Sequence, residues 1–107
     1  MDRDNLYIEI IAQDGNIWRA PLHQDRIIVG RSPLSSDLVV NDPRVSRVHL
    51  QINCDGMETT ITDLRSANGT HLENYLLPPN VPISWMVDQT ATIGDTKLIL
   101  RRGYTAP

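Results

Sequence analysis

The chain has 107 residues, 40% hydrophobic and 21% charged, which suits one compact domain with a single core and excludes a disordered tail. Ten lysines and arginines against thirteen aspartates and glutamates give a net charge of −3, which argues against a broad nucleic-acid-binding face. One cysteine, Cys54, excludes an internal disulfide or a cysteine zinc cluster and points to a reducing, cytoplasmic setting.

The N-terminal "MDRDNLYIEI" lacks the basic start and apolar stretch of a signal peptide. No apolar run approaches the roughly 20 residues needed to cross a bilayer, so a soluble protein without a membrane partner is expected. "LYIEIIA" alternates up to Asp14-Gly15-Asn16, and "IWRAPL" follows, a hairpin pattern. Next come "RIIVG", the polar loop "RSPLSSD" and the short run "LVV". A turn at "NDPR" leads into "RVHLQINC", and Asp55-Gly56 breaks the chain before "ETTITDL". Asn68-Gly69, a hairpin signal, precedes "THLENYLL". Pro78, Pro79 and Pro82 mark an edge or an irregular crossing, since proline cannot donate to a strand ladder. "ISWMV", "TATIG" and "KLILRR" complete the domain. No window carries the pattern of a long amphipathic helix. Short strands at this spacing predict an all-β fold, an antiparallel β-sandwich or a barrel. We read residues 1–103 as one domain and 104–107 as a frayed tail or the start of a linker.

The positive charge is unusual in kind. Lys97 is the only lysine, and arginine suits two-pronged contacts to carboxylate or phosphate. In a sandwich the loops gather at two ends. Loops 31–37, 41–47 and 65–70 at one end would bring Arg31, Arg44, Ser46, Arg47, Arg65 and Asn68 together. That set suits an anionic group on a peptide, with hydroxyl and amide groups fixing its orientation.

Gly30-Arg31, Ser46-Arg47-Val48-His49 and Asn68-Gly69-Thr70 occur in the order of the forkhead-associated (FHA) family, whose members bind phosphothreonine peptides. "SSDLVVNDPRVSR" and "IGDTKLIL" are also similar to that family, and the resemblance runs from Ile27 to Leu100. It implies a two-sheet antiparallel sandwich of about eleven strands, with the binding loops at one end. It also implies a phosphothreonine reader without catalysis, cofactor or metal. The partner would be a protein modified by a Ser/Thr kinase, and the isolated domain a monomer. Arg31 would hold the phosphate, Ser46 would donate its hydroxyl, and Arg47 or its N–H would stand beside them. Asn68 would bond the peptide main chain, with Thr70 in support. Gly30 would let the backbone turn, His49 would brace the loops, and Gly69 would complete the structural support. Arg44 adds an expected preference for an acidic residue C-terminal to the phosphothreonine. Ala67 stands where several members have Ser or Thr, and "ENYLL" and "MVDQT" replace turns common in the family.

Taken singly, these residues have ordinary explanations. Gly-Arg closes many turns, Ser46 suits a turn, Asn68-Gly69 suits a hairpin, and His49 between apolar neighbours suits a structural histidine. A hydrolase built on Ser46, His49 and Asp63 is disfavoured, because residues three apart on a strand point to opposite faces. His23, His49, His71 and Cys54 have no metal-ligand spacing. A single-stranded nucleic-acid binder would need stacking aromatics on a basic groove. The rival from another class is an FHA-fold docking or dimer surface that ignores phosphate. No threonine precedes the first strand, which leaves Thr105 as the one tail residue for a self-binding switch.

Overall fold

The structure, a computed structural model, describes residues 5–55 and 58–103. Gly56 of the expected turn and the tail 104–107, with Thr105, lie outside these residues. Eleven strands run in chain order: β1 Leu6–Ile11, β2 Ile17–Pro21, β3 Arg26–Gly30, β4 Leu38–Val39, β5 Leu50–Cys54 and β6 Thr59–Asp63. They continue with β7 Thr70–Leu72, β8 Tyr75–Leu76, β9 Ile83–Ser84, β10 Thr90–Ile93 and β11 Thr96–Arg102. One sheet has the order β2-β1-β11-β10-β7-β8, the other β4-β3-β5-β6-β9.

The two sheets face each other because their strands alternate. Leu6, Ile8 and Ile10 of β1, Leu98 and Leu100 of β11, and Ala91 and Ile93 of β10 supply one inner face. Ile27, Val29, Leu50, Ile52, Cys54 and Ile61 supply the other. Leu22, Val40, Val45, Leu77 and Trp85 belong to the same core from outside the strands. Trp85 can be fully buried because its indole N–H donates to the Gln89 carbonyl at 3.0 Å. On the outer face Arg101 pairs with Glu9 and Asp88, and the Arg19 guanidinium lies over the Tyr7 ring.

Four local expectations are corrected. The run "RVHLQINC" is strand only from Leu50, so 46–49 is free to form a loop. "THLENYLL" splits into the β7–β8 hairpin, with Glu73 in the left-handed region at φ 54°. Asn68-Gly69 is not a hairpin turn, since β6 and β7 belong to different sheets. The β3–β4 pair is parallel, because the loop between them doubles back along β3. Asp37 secures that return: its N–H donates to the Ile28 carbonyl and its carboxylate accepts the Ile28 N–H.

Leu6 at the start of β1 pairs with Arg102 at the end of β11. Both lie at the end of the sandwich remote from the loop after β3. A hollow of about 370 Å³ opens there, lined by Leu6, Cys54, Thr59, Trp85 and Leu100 among others. It is larger than the hollow of about 220 Å³ at the opposite, cationic end, but no cluster of cations converges on it, so size alone does not locate the site.

Ile61 is wholly buried at the centre of the core, and its truncation leaves a cavity. Ile61→Ala should cost about 2–5 kcal/mol by urea unfolding, whereas Val39→Ala on the β4 edge should stay within about 0.5 kcal/mol. Equal shifts of the two midpoints would contradict this division of core from edge.

Candidate functional site

Three loops meet at the end of the sandwich where β3 and β6 finish and β5 and β7 begin. The loop after β3 lies against the loop before β5: Arg31 N–H donates to the Ser46 carbonyl at 3.0 Å and Ser32 N–H to the Arg47 carbonyl at 3.2 Å. The loop before β5 in turn lies against the loop after β6. Ala67 N–H donates to Ser46 Oγ at 2.9 Å, and Asn68 Nδ2 to the Arg44 carbonyl at 2.8 Å. The spatial order is therefore 31–37, then 41–47, then 65–70.

This closeness requires Gly30. A Cβ there would stand 2.0 Å from the Arg47 carbonyl oxygen. Gly30 does not have a positive φ, so the expectation that it lets the chain turn is corrected: it permits backbone to approach backbone. Gly69 does need its left-handed φ of +83°.

His49 is wholly buried between the loops. Its Nδ1 accepts the Ser46 N–H at 3.0 Å, and its Nε2 faces the Gly69 carbonyl at 2.9 Å. One acceptor and one donor define the neutral Nε2–H tautomer. Burial holds its pKa below the ordinary 6.5, against the opposing pull of the Gly69 carbonyl and the Asp63 and Asp42 charges. Beneath the loops, the buried Asp42 carboxylate accepts from Arg44 N–H, Asp95 N–H and the Thr96 hydroxyl at 2.8–2.9 Å. Burial acts to raise its pKa, but those bonds and the Arg44 charge outweigh burial and leave it below 3.8. Asp63, also buried, accepts from Ser66 N–H, the Ser66 hydroxyl and the Thr70 hydroxyl.

What this scaffold presents outward is cationic. Arg31 Nε is held by the Val45 carbonyl at 2.9 Å, which fixes the guanidinium while its terminal nitrogens make no bond among the described residues. Ser46 Oγ accepts from Ala67, leaving its own hydrogen free to donate. The Arg47 side chain is exposed, and its main-chain N–H has no acceptor among the described residues. Asn68 keeps its amide oxygen and one N–H free beside them. Arg65, exposed on the same end, has a strained φ of 56°. Arg44 is 3.6 Å from Asp95 and borders a hollow of about 220 Å³ with Asn68, Gly69, His71, Thr92 and Gly94.

The family described as "Inner membrane component of T3SS, cytoplasmic domain" matches residues 14–103. Among solved structures, the FHA domain of the CT664 protein from Chlamydia trachomatis superposes with a TM-score of 0.80 at 25% identity, covering 94% of this chain and 99% of that one. The chain belongs to this family and is an FHA domain.

A structure from a study of phosphothreonine-dependent FHA domain interactions superposes on this FHA domain with a TM-score of 0.78 at 24% identity, over 94% of this chain and 99% of that one. Mycobacterium tuberculosis EmbR, solved with a low-affinity phosphopeptide, gives 0.79 at 24% identity over 96% of this chain and 26% of its own. No curated protein sequence matches the chain.

Most residues singled out from the sequence meet at this end of the FHA domain, and one is placed differently. Thr70 is wholly buried with its hydroxyl on Asp63, so it braces the loop and does not face a ligand. The strand argument against a Ser46–His49 pair is also corrected. Both residues lie in a loop and they do meet, but through the Ser46 main-chain N–H. Both ring nitrogens of His49 are occupied, and the Ser46 hydroxyl is bonded to Ala67. The bracing roles of Asp42 and Ser66 escape the sequence, and so does that of Asp63, which the sequence offers only as the acid of a hydrolase. The Asp-x-x-Ser spacing of Asp63 and Ser66 is a local turn signal, whereas the bonds of Asp42 to Asp95 and Thr96 span more than fifty residues.

The depressed His49 pKa sets a stability window. At pH above about 6.5 the neutral ring is present in both folded and unfolded chains. As pH falls below that value the unfolded chain takes the proton first, so stability should drop until the folded ring protonates too. Urea unfolding between pH 7.5 and 5 should show this decline, and His49→Gln should lack it. A flat wild-type profile would contradict the neutral-ring assignment.

Proposed function

We propose that this FHA domain reads phosphothreonine in partner proteins and carries out no catalysis. The observation that carries the reading is the set of outward donors on Arg31, Ser46 and Arg47, each held by a bond to the neighbouring loop. A phosphate brings about −1.5 to −2 charge, and fixed donors meet it without reorganising. Charge-assisted bonds contribute roughly 1.5–3 kcal/mol each, enough to make recognition depend on the modification. The two phosphopeptide-related neighbours support the reading through a shared fold. The partner would be the product of a Ser/Thr kinase on the cytoplasmic side, the compartment in the family's description. A preference for phosphothreonine over phosphoserine would follow if the threonine methyl packs near the Asn68 loop.

Calorimetric titration with a degenerate phosphothreonine peptide pool should show binding, and the unphosphorylated and phosphoserine pools should bind little or not at all. Arg31→Ala should abolish binding with little change in unfolding midpoint, because the side chain is exposed. Equal binding of all three pools would transfer the reading to a docking surface that ignores phosphate.

Arg44 refines the reading. Its guanidinium is mostly exposed and only loosely paired with Asp95, so an acidic peptide residue can share it. A positional library should therefore favour Asp or Glu a few residues after the phosphothreonine. Arg44→Ala should flatten that preference, and a library already flat with the wild type would remove it.

A further inference from the structure

Leu34 is the most exposed large apolar side chain among the described residues, at 97%, and it stands three residues after Arg31. On a floppy loop that would mean little, since single exposed leucines are common. This loop is not floppy in its bonding. Ser35 N–H and Ser36 N–H both donate to the Ser32 carbonyl, and the Ser36 hydroxyl donates to the Arg47 carbonyl at 3.0 Å. Arg31 and Ser32 are stitched to Ser46 and Arg47 on one side of Leu34, and Asp37 is stitched to Ile28 on the other. The backbone is thus fixed with Leu34 displayed at its tip, and the side chain gains nothing in the folded monomer from being apolar.

The order of the loops gives Leu34 a place relative to the ligand. Asn68, bonded to Arg44, stands at one edge of the three-loop order, and Leu34 stands at the other edge, on the loop that carries Arg31. A peptide that leaves its phosphothreonine past Asn68 and Arg44 approaches it past Leu34. The geometry points to Leu34 as a specificity-determining residue that packs an aliphatic side chain of the peptide, in the segment preceding the phosphothreonine. This rests on the reader function proposed above and goes beyond it. Pro33, Pro43, Val48 and Ala67 are also exposed on these loops. Leu34 is far more exposed than Val48 and is the large apolar side chain a peptide can cover most fully, so this preorganised contact discriminates among peptides that share the phosphate.

The test is a phosphothreonine peptide library randomised at the positions before the phosphothreonine, bound to the whole chain, with affinities of selected peptides measured by calorimetry. Wild type should select Leu, Ile, Val or Met at one of those positions. Leu34→Ser should lower affinity for the selected peptide about tenfold and erase that preference, while binding still requires phosphate. Leu34→Met should restore both. Unchanged affinity and preference in Leu34→Ser would overturn the assignment of Leu34 and leave the reader function standing. Absence of phosphothreonine-dependent binding by the wild type would instead overturn the reader function itself.

Discussion

Everything at the binding end depends on an imidazole ring with no contact to solvent. His49 accepts from the loop before β5 and donates to the carbonyl of the loop after β6, and protonation of the ring would cost it the first of these bonds. The ring fixes the Ser46 main chain, which in turn accepts the Arg31 N–H, so one buried side chain sets the spacing of all three loops. Its position just ahead of β5 matters, because β5 is paired on both sides, with β3 and with β6, and so anchors the ring to the interior of the sheet. A histidine that looks catalytic beside a serine is, in this geometry, a spacer.

Two buried carboxylates complete the frame. Asp42 and Asp63 face inward, and their charges are met by N–H and O–H groups of the loops. That arrangement has an electrostatic result as well as a mechanical one. Four arginines can gather at one end of an acidic protein without exposed carboxylates at the centre of the cluster to neutralise them. Asp95 sits at the margin beside Arg44, and Asp37 is turned back onto the Ile28 N–H. The cationic end is thus the product of where the acids are placed, since the overall charge is negative.

Much of this was legible in the sequence, for reasons that differ by feature. The alternation in "LYIEII" and "LQINC" shows as inner and outer faces because a half-buried strand leaves a period of two. Gly-Arg and Ser-Arg-x-His could be read because they stand at strand ends in family order. The doubling back of the chain after β3 was not legible, since nothing local distinguishes a short loop that reverses from one that continues. That Thr70 gives its support from beneath the loop was not legible, because only the fold brings Asp63 under it. Asp42 was invisible because its partners Asp95 and Thr96 come from the far end of the chain, and only the folded sandwich brings them within reach.

The pairing of Leu6 with Arg102 has a practical side. The first and last strands lie next to each other, and both open away from the loop end. A label, a solid support or a neighbouring domain joined at either point is held behind the sandwich, with the cationic loops facing forward. The same adjacency makes the two points nearly interchangeable as places of attachment. A domain spliced in through both would hang from its carrier by a two-stranded stem, turning its loops outward like a head on a neck.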